Sequence, residues 1–144
     1  DGITDVGNFG AIARSAECLG VHAIVIASQG SAQINAEAMK SSAGALNNIL
    51  VCREKSLVTA LKYLKVNGLR IFGTEMKTSS EISKTDFKIP CAIVMGSEGS
   101  GISNEILKLC DERVRIPMTG KTESLNVSVS AGIILYEIMK QRTV

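Results

Sequence analysis

The chain has 144 residues, of which 45% are apolar and 3% aromatic, and carries a formal net charge of +2. That length suits one domain with its own core, and the near-neutral balance excludes a basic nucleic-acid tail or an acidic, solvating chain. So few aromatics also exclude a surface that holds single-stranded RNA by base stacking alone; an RNA-handling protein of this composition would draw grip from another domain or a partner subunit.

Elements alternate along the chain. Residues 7–19 are helical in pattern and end at Gly20, a natural stop. A strand is expected at 22–28 (HAIVIAS), a helix at 35–46 and a strand at 48–54 (NILVCRE). Next come a helix at 56–66, closed by Asn67-Gly68, and a strand at 69–75 (LRIFGTE). Residues 78–89 are polar and aperiodic, so they read as a surface excursion. A strand at 91–97 (CAIVMGS), a short helix at 104–110, a strand at 113–118 (RVRIPM) and a long helix at 123–142 complete the order. Most of the strands are continuous apolar runs, as in strands covered on both faces. Strands alternating with helices imply an α/β fold, a mostly parallel sheet sandwiched by helices with ligands at the carboxyl ends of its strands.

Three loops could carry chemistry. In DVGNFGAIARSAECLG, Asn8 is placed to cap a helix with Ile12 and Ala16 on one apolar stripe, and Arg14 follows in its second turn. The plain alternative is a cap plus a solvated arginine. In VMGSEGSG, Gly96, Gly99 and Gly101 follow the most apolar strand. They do not match a dinucleotide or phosphate loop, and Glu98 would repel a pyrophosphate, which leaves a phosphate-free or cationic ligand, or simply a tight turn. In IPMTGKTESLNVSVSAGIILYEI, Ser124 or its neighbours begin the last helix, whose free N–H groups and positive dipole end face the loop. Three polar side chains there, Glu123, Ser124 and Asn126, suit a binding site better than a cap alone.

The four cysteines, Cys18, Cys52, Cys91 and Cys110, are scattered, and His22 is the one histidine, so no zinc site is expected and the thiols read as buried and free. No apolar run approaches the roughly 20 residues that span a bilayer and no signal-peptide pattern opens the chain, so a soluble, cytoplasmic protein is expected. The start at Asp1 rather than Met suggests a domain of something longer.

Together the three loops resemble the motifs of the SpoU-type (TrmH-like) RNA ribose 2′-O-methyltransferases of the SPOUT superfamily. NFGAIAR is similar to the first motif, VMGSEGSGIS to the second and IPMTGKTESLNVSVSAGIILYE to the third, in family order over nearly the whole chain. SSAGAL, residues 41–46, resembles a segment of the guanosine methyltransferases that act on large-subunit ribosomal RNA. The resemblance implies an α/β knot, a deep trefoil near the C-terminus that periodicity does not reveal. It implies a single catalytic domain over residues 1–144, with the family's small N-terminal RNA-binding domain absent. It also implies a homodimer, S-adenosylmethionine as cofactor and no metal.

By the same resemblance, Asn8, Arg14, Glu98, Ser124 and Asn126 are the catalytic cluster, and Gly96, Ile116, Met118, Leu125 and Asn126 hold the cofactor. The implied substrate is a ribose 2′-hydroxyl in RNA, ribosomal RNA before transfer RNA. Arg14 is the family's proposed activator of that hydroxyl, but a guanidinium stays protonated; clamping the phosphate and stabilising developing alkoxide charge suits it better. The base is then the phosphate, Glu98 or water. A cofactor- or RNA-binding relative without catalysis, and a flavodoxin-like nucleotide binder, are the competing readings; Glu98 speaks against the second.

The last helix carries two apolar stripes, Leu125, Val129, Ile133 and Tyr136 on one face and Val127, Ile134 and Ile138 on another. One stripe suffices to close a monomer, so the second is expected to meet a partner, and Ile134 and Ile138 are expected to lie in that contact.

Overall fold

The structure is a computed structural model and describes residues 1–143. Five strands and five α-helices alternate: α1 Val6–Cys18, β1 Ala23–Ala27, α2 Ala36–Ser41, β2 Leu50–Glu54, α3 Leu57–Val66, β3 Arg70–Thr74, β4 Cys91–Val94, α4 Asn104–Leu107, β5 Glu112–Val114 and α5 Val127–Arg142. Every strand pair is parallel. The α/β fold with parallel pairing is therefore as expected, with one difference: the strands form two sheets, β1-β2 and β4-β3-β5.

Residues 1–3 lie between the far ends of the two sheets. The Asp1 amino group donates to the Met95 carbonyl beyond β4 at 2.8 Å, and Ala32 N beyond β1 donates to the Ile3 carbonyl at 2.9 Å. The split changes burial. Only β3, central in its sheet, buries three successive residues, Ile71 to Gly73; β1 and β4 are half-buried throughout. Strands covered on both faces are seen fully buried in β3 and half-buried in β4, whose alternate residues pack into both helix layers.

Helices cover both sides. On one side Leu61 of α3 and Ile106 of α4 pack against Ile71, Ala92 and Val94. On the other, Phe72, Val114, Cys91 and Ile93 meet Ile134 and Ile138 of α5. Successive residues of β3 and β4 thus point to opposite layers, the period-two alternation of a strand. α1 and α2 cover β1-β2 through Phe9, Ala13 and Ala38. Leu135 of α5 packs against both this cluster and the one on β3, so α5 bridges the two sheets.

Boundaries move where a local rule outweighs periodicity. The helix expected over 35–46 stops at Ser41, because Ala43 and Gly44 take positive φ, and a short 3-10 turn, Ala45–Asn47, follows. The strand expected over 113–118 ends at Val114; Arg115 still bridges Glu81, and Pro117 carries no N–H to continue a ladder.

The segment 78–89 is no surface excursion. Ile82 and Phe87 are buried, and the Phe87 ring meets Phe72 edge-on at 4.9 Å between centroids. Its backbone clamps the end of α5: Gln141 accepts from Phe87 N at 3.0 Å, and Arg142 Nε donates to the Phe87 carbonyl at 2.8 Å.

The four cysteines are unpaired, as expected, but Cys18 is exposed and the other three are half-buried. Burial pushes the Cys91 and Cys110 thiols above their ordinary range. No helix among the described residues is long and apolar enough to cross a membrane.

Candidate active site at the mouth of α5

The carboxyl ends of β4 and β5 lead into the second and third motif loops, which meet the start of α5. Past Val94 the chain folds tightly back on itself: Gly101 N donates to the Ser97 carbonyl at 2.9 Å, and the Ser97 and Ser100 hydroxyls lie 2.7 Å apart. Gly96 makes this fold possible, because a Cβ there would overlap the backbone of Gly101 and Ile102. Glu98 sits at the exposed tip.

The first motif brings up Asn8, but not as a cap. Asp5 is the N-cap of α1, its Oδ1 accepting from Asn8 N at 2.6 Å. The helix therefore begins before Asn8, and the Asn8 side chain is free of cap duty. Gly10, two residues on, lets α1 lie close to α2; a Cβ would collide with Ser41.

The third motif also starts its helix later than expected. Asn126 is the N-cap and Val127 the first helical residue, so Glu123, Ser124 and Leu125 lie in the preceding loop. The loop runs on because Asn126, with extended backbone and a side-chain oxygen turned to the Ser128 and Val129 amides, supplies the cap.

All three motifs meet at Asn126. Its Nδ2 donates to Asn8 Oδ1 at 2.9 Å and to Glu98 Oε1 at 2.7 Å. The same Glu98 oxygen accepts from Val127 N at 3.1 Å, placing a carboxylate against the first amide of α5. Three of the five residues expected to form the catalytic cluster, Asn8, Glu98 and Asn126, are thus joined directly.

The other two stand apart. Ser124 is exposed and makes no hydrogen bond within the cluster. Arg14 lies six positions beyond Asn8 on α1, about 9 Å along the axis and roughly 120° around it, and is exposed. Among the described residues it forms no ion pair.

Of the residues expected to hold a cofactor, Gly96 is buried and Ile116 packs half-buried against the cluster around Phe72. Met118 is half-buried, and Leu125 is exposed on the loop before α5. Asp5, which the first motif leaves out, and Ser128, to which the third motif gives no role, also belong to this cluster. Asp5 carries a signal, an acidic residue just ahead of a helical pattern; Ser128 carries none.

A cleft of about 220 Å³ opens between residues 2–5, Asn8, Glu98 and Val127. Its titratable side chains are the carboxylates of Asp5 and Glu98, and no lysine or arginine lines it. That disfavours a phosphate and favours a cationic or neutral polar group. A larger, open hollow of about 460 Å³ lies at the opposite end of β3, by Lys65, Arg70 and Asp111. Its cations are already paired, Lys65 with Asp111 at 2.8 Å and Arg70 with Glu112 at 3.0 Å, and none of the three motifs reaches it. No group of three or more His, Cys, Asp or Glu placed to hold a metal occurs among the described residues.

Residues 1–136 match the sequence model of the SpoU rRNA Methylase family. Over 142 residues, 99% of the chain, the sequence is 39% identical to a 23S rRNA (guanosine-2′-O-)-methyltransferase of Yersinia pestis, covering 58% of that protein. It is 44% identical over the same share to an uncharacterized tRNA/rRNA methyltransferase of Synechocystis, covering 37% of it. The chain thus spans about half the length of these relatives.

Among solved structures, the fold matches the SpoU methyltransferase AviRb of Streptomyces viridochromogenes in complex with AdoMet. The TM-score is 0.90 at 32% identity, over 97% of this chain and 57% of that one. The A. aeolicus TrmH/SpoU tRNA modifying enzyme matches with TM-score 0.90 at 33% identity, over 99% and 73%.

Proposed function

The chain belongs to the SpoU methylase family, and from that premise we propose that it transfers a methyl group from S-adenosylmethionine to a ribose 2′-hydroxyl of RNA, a guanosine of large-subunit ribosomal RNA. The observation that carries this reading is the meeting of Asn8, Glu98 and Asn126, one from each motif, at the positive end of α5. The ribosomal guanosine is favoured by the relative named for that reaction. Transfer RNA is the second reading, favoured by the tRNA modifying neighbour.

The charge of the cleft suits such a donor, while the residues expected to hold the donor border the cleft's loops rather than line it. S-Adenosylmethionine supplies an electrophilic methyl on a sulfonium cation and carries no phosphate, which agrees with carboxylates and the lack of basic groups at Asn8 and Glu98. Gly96, Ile116, Met118 and Leu125 would hold it through backbone groups and apolar contact, with Asn126 shaping the mouth. On the acceptor side, Asn8 and Ser124 orient the ribose, and Arg14 clamps the adjoining phosphate and stabilises developing alkoxide charge. Glu98 completes the cluster. The hydroxyl proton leaves to the substrate phosphate, to Glu98 or to water.

The reading extends to assembly. α5 presents a second apolar face, and Arg14 points away from the cluster on its own chain. Both suit a homodimer in which Arg14 serves the partner's site. The family's trefoil knot would thread α5 past the second-motif loop, whose Glu98 touches the helix start while Thr85 and Phe87 hold its end. A further RNA-gripping domain is proposed ahead of this one, from the mild charge and scarce aromatics. A cytoplasmic location agrees with this reading.

Titration calorimetry with S-adenosylmethionine tests the proposal. The chain is expected to bind the cofactor yet to turn over ribosomal RNA fragments slowly. Failure to bind would overturn the reading, and turnover equal to that of a full-length relative would remove the need for another RNA-gripping part.

A further inference from the structure

We propose that Asn126 and Glu98 are positioning residues, a directional hydrogen-bond lock that joins the three motifs at the start of α5, and that Ser128, to which the motif resemblance gives no role, completes it. The orientation of the Asn126 amide is fixed by partners whose polarity is unambiguous. Ser128 N and Val129 N can only donate, and they face Oδ1 at 2.9 and 3.3 Å. The Glu98 carboxylate accepts, and it faces Nδ2 at 2.7 Å. Ser128 Oγ adds a third donor to Oδ1 at 2.5 Å, and Asn8 Oδ1 takes the second Nδ2 hydrogen at 2.9 Å.

The hydrogen-bonding capacity of Asn126 is thereby used up. Both amide hydrogens are committed, and Oδ1 receives three donors for two lone pairs. The side-chain amide of Asn126 has no hydrogen bond left to offer RNA or a methyl donor. Glu98 is likewise committed at Oε1, which accepts from both Asn126 Nδ2 and Val127 N. The lock needs an oxygen acceptor at that point, not a negative charge.

This separates a positioning role from a charged one, because glutamine offers the same Oε1 at nearly the same place. Replacing Asn126 by Asp reverses the lock, setting an acceptor oxygen against Glu98 Oε1 and Asn8 Oδ1. Two carboxylates at that spacing repel. Replacing Glu98 by Gln in the same chain removes the charge and supplies a donor, so that contact is restored with its polarity exchanged, while Val127 N–H loses its acceptor there.

The consequence for catalysis rests on the methyltransfer reading; the lock itself does not. The test is a double-mutant cycle on the whole chain, read by thermal unfolding and by methyl transfer from labelled S-adenosylmethionine to ribosomal RNA fragments. Glu98→Gln is expected to melt with the wild type, while Glu98→Ala and Asn126→Asp melt lower and lose about a hundredfold or more of kcat/KM. Ser128→Ala is expected to lose only about threefold, because two backbone donors still hold Oδ1. The Asn126→Asp/Glu98→Gln chain is expected to recover both melting temperature and at least about tenfold of the activity lost by Asn126→Asp alone.

Equal melting of all variants would overturn the lock. So would a double mutant no better than Asn126→Asp. A Glu98→Gln chain that melts like the wild type but is as inactive as Glu98→Ala would assign Glu98 a charged role in the chemistry instead. If the wild type itself transfers no methyl, the methyltransfer reading fails while the melting cycle still decides the lock.

Discussion

Arg14 and Asn8 share one helix but not one direction. About 9 Å of rise and roughly 120° of rotation separate them, so the α1 that delivers Asn8 to Asn126 turns Arg14 outward. An exposed guanidinium without a partner among the described residues is poised for a group the chain does not supply, such as an RNA phosphate. Arg14→Ala is expected to abolish transfer while leaving cofactor affinity within a few-fold, since the residue acts on the RNA side. If Arg14 reaches a partner's site, mixing Arg14→Ala subunits with Asn126→Ala subunits should restore some activity. Parallel loss of cofactor binding would make Arg14 a pocket residue. The identities of Asn8, Glu98 and Asn126 were legible from the motifs. Which of them capped a helix was not: Asp5 and Asn8 are both good caps, and backbone geometry decides between them.

At the scale of elements, α5 was legible as a helix with two apolar faces, but spacing fixes faces only relative to one another. The structure reverses the assignment. Ile134 and Ile138 are 1% and 8% exposed in the main core, whereas Val129, Ile133 and Tyr136 are 50%, 37% and 55% exposed on the opposite side. Charge at Ile134 or Ile138 would therefore unfold the domain before it could separate subunits. Ile134→Ala is expected to cost about 2–5 kcal/mol in chemical denaturation, as a large-to-small change in a filled core. Ile133→Asp should leave the fold intact and convert a dimer to a monomer in sedimentation velocity. A wild-type chain that sediments as a monomer would contradict the dimer.

The segment 78–89 escaped sequence reading for a related reason. Ile82 and Phe87 lie among polar residues without helical or strand period, so only the packing of Phe87 on Phe72 marks them as core.

At the scale of the molecule, alternation of apolar runs and helices was enough to give parallel pairing. It could not show that the strands divide into two sheets under one bridging helix, because sheet membership depends on which edges meet. That arrangement gathers the loop after β4, the start of α5 and residues 2–8 at one cleft, beyond the carboxyl end of β4.

The central claim, methyl transfer to a ribose hydroxyl, is tested most directly by following labelled methyl from S-adenosylmethionine into large-subunit ribosomal RNA and then hydrolysing the product in alkali. Cleavage by alkali needs a free 2′-hydroxyl, so a methylated ribose survives within a dinucleotide. The account predicts slow incorporation recovered in alkali-resistant dinucleotides with guanosine at the 5′ position, and none with the Arg14→Ala chain. Label released as mononucleotides, or incorporation no greater than that of Arg14→Ala, would contradict it.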